Sequence, residues 1–230
     1  VVALGDQLSD DLDGKTVIVD GATGLVFAEP DEATEKTYRA KQEELAEKKR
    51  LLAQLKGQPG ITKDGKRILT YANIGNPSDV ASVLLNDAEG IGLFRSEFLY
   101  LGNDDYPTEA QQFTAYKTVV ENMAGKRVIF RTLDIGADKQ ADYFELPHEE
   151  NPAMGMRAIR ICLTRTEIFR TQLRALYRAS AFGKVAIMFP MITSLWELKE
   201  AKKLAQQVQA ELRAEGVPFD ENLEIGIMIE

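Results

Sequence analysis

The sequence holds one cysteine, Cys162, in 230 residues. A single thiol excludes an internal disulfide framework and fits a reducing compartment. Positive charge is short as well: 28 Lys and Arg stand against 36 Asp and Glu, a formal net charge of −8. Nucleic acid is therefore not an expected partner, because duplex binding needs a basic face to neutralise phosphates. A net value still leaves room for a local basic pocket around a small anion. No apolar run approaches the ~20 residues of a membrane-spanning helix. Residues 1–12 lack the basic start and apolar centre of a secretory signal. The expectation is a cytoplasmic chain without membrane insertion. An initiator methionine is missing too, and the chain stops inside the apolar run 225–230. Native ends are usually polar and loosely held, so an excerpt from a longer polypeptide is expected.

What is present suits a globular fold. Hydrophobic residues make up 44% of the chain, enough for a buried core, and the length allows one large domain with a smaller appendage. Residues 15–19 and 24–27 read as strands around an Asp20-Gly21 turn, too little for an independent core. Residues 31–56 change character: Glu, Lys, Ala, Gln and Leu dominate, without Gly or Pro, and Tyr38, Leu45, Leu52 and Leu55 give only a narrow apolar stripe. This predicts a largely solvated helix ended by Gly57 and Pro59, about 39 Å long at 1.5 Å per residue, suited to connecting domains.

From about residue 66 strands and helices alternate. Strands are expected at 67–72, 90–94, 127–133, 184–190 and 223–229. Helices are expected at 77–86 (Asn76 and Ser78 as caps), 108–123, 166–180 and 194–215. Thr108 with Gln111, and Ser194 with Glu197, have capping-box spacing. The later strands are continuous apolar runs, the mark of strands covered on both faces in a parallel sheet. Repeated βα units of this kind build either an open doubly wound sheet or a (β/α)8 barrel. Five units followed by a stop fit a barrel lacking its last three.

In both architectures chemistry gathers where strands end. Asn73, Gly75 and Asn76 follow the first expected strand, Arg95-Ser96-Glu97 the second, and the stretch from Arg131 through Asp134 to Lys139 the third. Pro190-Met191 follows the fourth, and Glu230 ends the fifth. Arg95 and Arg131 thus face one mouth, where guanidinium forks bind phosphate or carboxylate bidentately. A converging pair suits a substrate carrying both groups. A carboxylate on the same rim could hold Mg²⁺, with Asn73, Asp134 and Lys139 in support. The plain alternative is a salt bridge, and Glu97 stands beside Arg95.

With those residues in place, the chain resembles enzyme I of the bacterial phosphoenolpyruvate:sugar phosphotransferase system. Matching blocks run in order along nearly the whole sequence. They are residues 72–75, 88–99 (Gly-Ile-Gly-Leu-Phe-Arg-Ser-Glu at the centre), 131–139, 150–160, 178–183 with 188–191, and 226–230. The resemblance implies that Arg95 and Arg131 bind phosphoenolpyruvate, that Arg157, Asn151 and Lys139 stand near the site, and that Glu230 binds Mg²⁺. It implies an α/β fold, an incomplete barrel at 61–230 after a connector helix at 30–60 and a phosphohistidine-domain remnant at 1–29.

The implied reaction passes phosphoryl from phosphoenolpyruvate to an enzyme histidine and then to a histidine phosphocarrier protein, for sugar uptake, in a homodimeric enzyme. Within the resemblance, the phosphorylated histidine and the acid cysteine fall outside this chain. His148 is expected to be a surface residue and Cys162 to be structural packing. A nitrogen-regulatory or fused multiphosphoryl relative shares these blocks. Pyruvate phosphate dikinase or phosphoenolpyruvate synthase, a metal-dependent aldolase, and a non-catalytic binding fragment are the other readings.

Overall fold

The computed structural model describes residues 10–136, 138 and 141–229. They fall into two units, one reaching Gln58 and the other starting at Pro59.

In the first unit, two short apolar runs pair as an antiparallel hairpin, β1 (Val17–Asp20) and β2 (Leu25–Ala28), with Val17 opposite Ala28. The turn closes on Asp20, whose carboxylate accepts from the Ala22 N–H at 3.0 Å. The Lys41 ammonium, 2.6 Å from Asp20, is the main reason that its carboxyl is held down at about 2. Helix α1 (Glu32–Ala53) starts where Asp31 accepts from the Thr34 N–H at 2.7 Å. None of its residues is buried, which agrees with a solvated helix. At 22 residues it is about 33 Å long, somewhat shorter than expected.

The second unit is built on five parallel strands: β3 (Tyr71–Ile74), β4 (Gly90–Arg95), β5 (Arg127–Arg131), β6 (Val185–Ile192) and β7 (Glu224–Ile229). They lie side by side in chain order without reversal. Between them come α2 (Val80–Leu85), α3 (Glu109–Asn122), α4 (Ile159–Thr164) with α5 (Thr166–Ser180), and α6 (Leu195–Ala214). The core forms where the middle strands meet α3 and α5. Phe94, Phe130 and Tyr116 make an aromatic knot with centroids 4.9–5.9 Å apart, and Phe169 meets Phe189 edge-on at 5.5 Å. Among the described residues no helix is long and apolar enough to cross a membrane.

Three expectations shift. The first strand is β3 at 71–74 rather than 67–72, because residues 60–68 pair with themselves. Ile61 bridges Arg67, the Ile68 N–H donates to the Gly60 carbonyl at 2.8 Å, and Ile68 and Leu69 stay exposed. Asn73 consequently lies inside β3, opposite Leu93, instead of beyond it. Pro190 and Met191 belong to β6, which continues to Ile192 through an irregularity with Met191 at φ 57. Helix α4 was not expected, since it is only six residues long and follows Ala158 at φ 50.

Both capping boxes form. Ser194 accepts from the Glu197 N–H at 3.2 Å, and Glu197 Oε2 accepts from the N–H groups of Thr193 and Ser194, each at 2.8 Å. Burial pushes the Glu197 carboxyl up, but these bonds and those from the two hydroxyls outweigh it and leave it below its ordinary value. A lowered carboxyl contributes stability above its unfolded-state pKa and loses it as pH falls through the folded-state value. Glu197→Ala is therefore expected to cost about 1–2 kcal/mol at pH 7. The gap to the wild type should narrow below about pH 4. Urea unfolding followed by the fluorescence of neighbouring Trp196, the sole tryptophan, measures both.

Candidate functional site

Arg95 and Arg131 are the last residues of β4 and β5 and are register partners across the parallel ladder. Adjacent strands lie about 4.8 Å apart, and register partners project to the same face. The two guanidinium groups therefore rise from one rim, as the strand-end reading expected.

Their surroundings differ. Arg131 is 9% exposed and ends in carboxylates on both sides. Its Nη2 donates to Glu97 Oε1 at 2.6 Å, and its Nη1 lies 2.9 Å from Asp134 Oδ2. Asp134 Oδ1 in turn accepts from Nη2 and Nε of Arg157 at 2.9 and 3.3 Å. Arg157 Nη1 reaches Asp138 Oδ1 at 3.3 Å. Charges of alternating sign thus run from Glu97 through Arg131, Asp134 and Arg157 to Asp138. Glu97 and Asp134 are themselves buried, at 3% and 7% exposure. Such a chain holds its members in one arrangement, because freeing any of them strands a charge in a poorly solvated place.

Arg95 makes no ion pair among the described residues. Its guanidinium lies over the Phe98 ring, 4.7 Å from the centroid, and its buried Nε has no hydrogen-bond partner among the described residues. Proximity in sequence had suggested Glu97 as the partner of Arg95, and that is corrected: Glu97 serves Arg131. The 3-10 turn Ser96–Leu99 begins directly after Arg95. At about 120° per residue it swings Glu97 toward β5 and brings Phe98 under Arg95. Phe98 rests on Gly75, where a Cβ would fall 2.4 Å from the ring. The Phe98 support was missed in the sequence; its signal was an aromatic three residues after a strand-end arginine.

Arg157 enters from the loop before α4. Gly136 lets it pass, since a Cβ there would lie 3.0 Å from the Arg157 Cβ and 2.9 Å from Asp138 Oδ1. The next residue, Ala158, sits at φ 50 and ψ −125, with its N–H donating to the Ile135 carbonyl at 3.1 Å. A non-glycine residue in that region costs on the order of 1–3 kcal/mol and persists only where its surroundings over-determine it. Here it turns the chain sharply from Arg157 into α4.

The remaining candidates separate. Asn151 is exposed in the loop before Arg157, and its carbonyl accepts from the Met154 N–H at 3.0 Å. Among the described residues no hydrogen bond joins it to the three arginines. Lys139 and Glu230 lie outside the described residues. His148 is exposed in a loop, as expected. Cys162 is fully buried in the core, and burial, with Asp134 adding to it, pushes its thiol up; this agrees with packing rather than reactivity.

Among the described residues no group of three or more His, Cys, Asp or Glu is placed to hold a metal ion. The carboxylates nearest the arginines, Glu97 and Asp134, point at guanidinium groups. The fixed positive charge of the arginines can receive an anion.

Comparison with known proteins agrees with that chemistry. Residues 49–230 match the family described as PEP-utilising enzyme, PEP-binding domain. A phosphoenolpyruvate-protein phosphotransferase of Staphylococcus carnosus (strain TM300) is 50% identical over 217 residues, covering 94% of this chain and 38% of its own. The protein of the same name from Priestia megaterium is 49% identical over 230 residues, covering 100% and 40%. That of Bacillus subtilis (strain 168) is 50% identical over 217 residues, covering 94% and 38%. The chain spans about two fifths of the length of these curated relatives.

The two strand-end arginines should respond differently to truncation. Arg131→Leu removes the guanidinium that Glu97 and Asp134 share and is expected to cost about 3–5 kcal/mol of stability. Arg95→Ala removes only a contact with an exposed ring and should cost less than about 1 kcal/mol. Urea titration of both variants beside the wild type checks the contrast.

Proposed function

The chain belongs to the PEP-utilising enzymes, through their PEP-binding domain, and on that premise we propose that it is the phosphoenolpyruvate-holding part of a phosphoenolpyruvate-protein phosphotransferase of the enzyme I type. The observation that carries this reading is the register pair Arg95–Arg131, one guanidinium locked among carboxylates and the other left without an anion among the described residues.

Phosphoenolpyruvate carries a phosphate and a carboxylate, so it needs two positively charged contacts at a set spacing. Arg95 supplies an uncommitted fork for one anionic group. Arg131 supplies direction: its carboxylate partners keep the guanidinium from turning, and the ligand meets its outer edge. Arg157, held by Asp134 and Asp138, extends the same row. Phosphoryl transfer asks mainly for positioning and charge neutralisation, which fixed arginines provide.

In the proposed reaction the phosphoryl group leaves the enol oxygen and forms a bond to a histidine nitrogen, and the enolate left behind takes a proton to become pyruvate. The accepting histidine belongs to another part of the enzyme, from which a histidine phosphocarrier protein then takes the phosphoryl group for sugar uptake. His148 is the sole histidine of this chain and sits exposed in its loop. The proposal extends to Glu230 as a Mg²⁺ ligand and to Lys139 and Asn151 near the substrate. When bound, the metal neutralises charge on the ligand; the residues described here orient the ligand without it.

The reading carries a domain plan with it. Residues 1–29 are proposed as the end of a phosphohistidine domain, 30–60 as a connector, and 61–230 as the first part of a (β/α)8 barrel. Parallel strands in unbroken chain order support the barrel over a doubly wound sheet, whose strand order reverses. A cytoplasmic homodimer completes the proposal.

Phosphoenolpyruvate with Mg²⁺ is expected to raise the melting temperature of the chain, and Arg95→Ala to weaken binding by at least about tenfold while leaving ligand-free stability nearly unchanged. Titration calorimetry and thermal shift measure this. An Arg95→Ala variant that binds like the wild type would remove Arg95 from the site.

A further inference from the structure

One buried side chain touches both arginine-bearing strand ends. Gln172, on α5, is fully buried. Its Oε1 accepts from the Leu133 N–H at 2.8 Å, just beyond Arg131 and beside Asp134. Its Nε2 donates to Ser96 Oγ at 3.0 Å, between Arg95 and Glu97. The second Nε2 hydrogen goes to Tyr116 Oη at 3.1 Å, and that hydroxyl donates to Gln112 Oε1 at 3.1 Å. Tyr100 Oη donates to the same oxygen at 3.2 Å, and Gln112 Nε2 donates to the Pro107 carbonyl at 3.0 Å. Ser96, Gln112 and Tyr116 are each at most 1% exposed.

The backbone N–H of Leu133 fixes which end of the amide is oxygen. Both donors then face the hydroxyls of β4 and α3. No other side-chain type offers an acceptor on one side and two donors on the other at this length: ionised glutamate lacks the donors, and methionine has no donor and only a weak sulfur acceptor. The β4 and β5 ladder sets the strand spacing, but it ends at Arg95 and Arg131. Beyond it Gln172 is a direct polar tie to both loops, sealed from solvent.

We propose that Gln172 is a positioning residue for the anion site, its amide holding the Ser96 and Leu133 loops at the spacing that aims Arg95 and Arg131 at one ligand. The inference rests on the reading of those arginines as the phosphoenolpyruvate site. Gln172 does not touch the ligand; it acts through two loops that do. A misplacement of about 1 Å in such a site costs up to a hundredfold, whereas burial alone would make Gln172 matter only for stability.

Gln172→Met, close in size and without the amide, is the central variant. Ser96→Ala removes one of the ties and serves if Gln172→Met does not fold. Val208→Ala, a fully buried change on α6, serves as a control for general loss of stability. Titration calorimetry with phosphoenolpyruvate and Mg²⁺ should show affinity falling at least about tenfold in Gln172→Met and several-fold in Ser96→Ala, with Val208→Ala unchanged. In the ligand-free chain, NMR signals of the Arg95 and Arg131 Nε–H groups should move in Gln172→Met and stay in place in Val208→Ala. Affinity within twofold of wild type and unmoved arginine signals in Gln172→Met, or the same in Ser96→Ala where the first does not fold, overturn the proposal. Arg95→Ala separates the two readings. If it binds normally, the assignment of the ligand site is at fault, and moved arginine signals would still show the tie.

Discussion

Arg131 sits almost out of solvent with Glu97 on one side and Asp134 on the other, and much of the site follows from that burial. A charge in such a place is tolerated only when its partners are close and correctly turned. Glu97 must therefore come from the turn after β4, and Asp134 from the segment after β5. Asp134 has a second oxygen to satisfy, which draws in Arg157 from a loop more than twenty residues away. Electrostatic necessity thus ties three separate stretches of chain to one rim.

The fold supplies what the charges cannot. Parallel pairing in register sets Arg95 and Arg131 side by side, and the aromatic knot of Phe94, Phe130 and Tyr116 underneath keeps β4, β5 and α3 from sliding. Above the knot the interior becomes polar in a controlled way, through Gln172, Ser96 and Gln112, before reaching the ionic rim. Apolar packing, neutral hydrogen bonds and paired charges follow one another from core to surface. Each layer demands more exact geometry than the one beneath it, because each has more desolvated polarity to compensate.

Much of this was readable beforehand, for reasons tied to particular residues. Arg95 and Arg131 were placed at strand ends because the apolar runs before them stop abruptly at charge. Thr108 with Gln111 and Ser194 with Glu197 marked helix starts by spacing alone. What eluded the sequence was pairing at short range. Glu97 is two residues from Arg95 yet serves Arg131, because a 3-10 turn, invisible in periodicity, rotates it away. Ile68 and Leu69 read as strand because their apolarity is strand-like, but a local turn claims them and leaves them exposed. Arg157 came forward only through resemblance, since its place depends on a strained Ala158 that no propensity signals. Lys139 and Glu230 fall outside the described residues.

The stack of Gly75, Phe98 and Arg95 has a consequence for competition. A guanidinium held by carboxylates, as Arg131 is, offers a further anion only its outer edge and a charge already partly answered. Phe98 supports Arg95 without neutralising it, and among the described residues no carboxylate pairs with that guanidinium. Glycine at position 75 makes this possible by leaving room for the ring to lie flat. The smallest residue at this rim thereby helps decide how Arg95 is held.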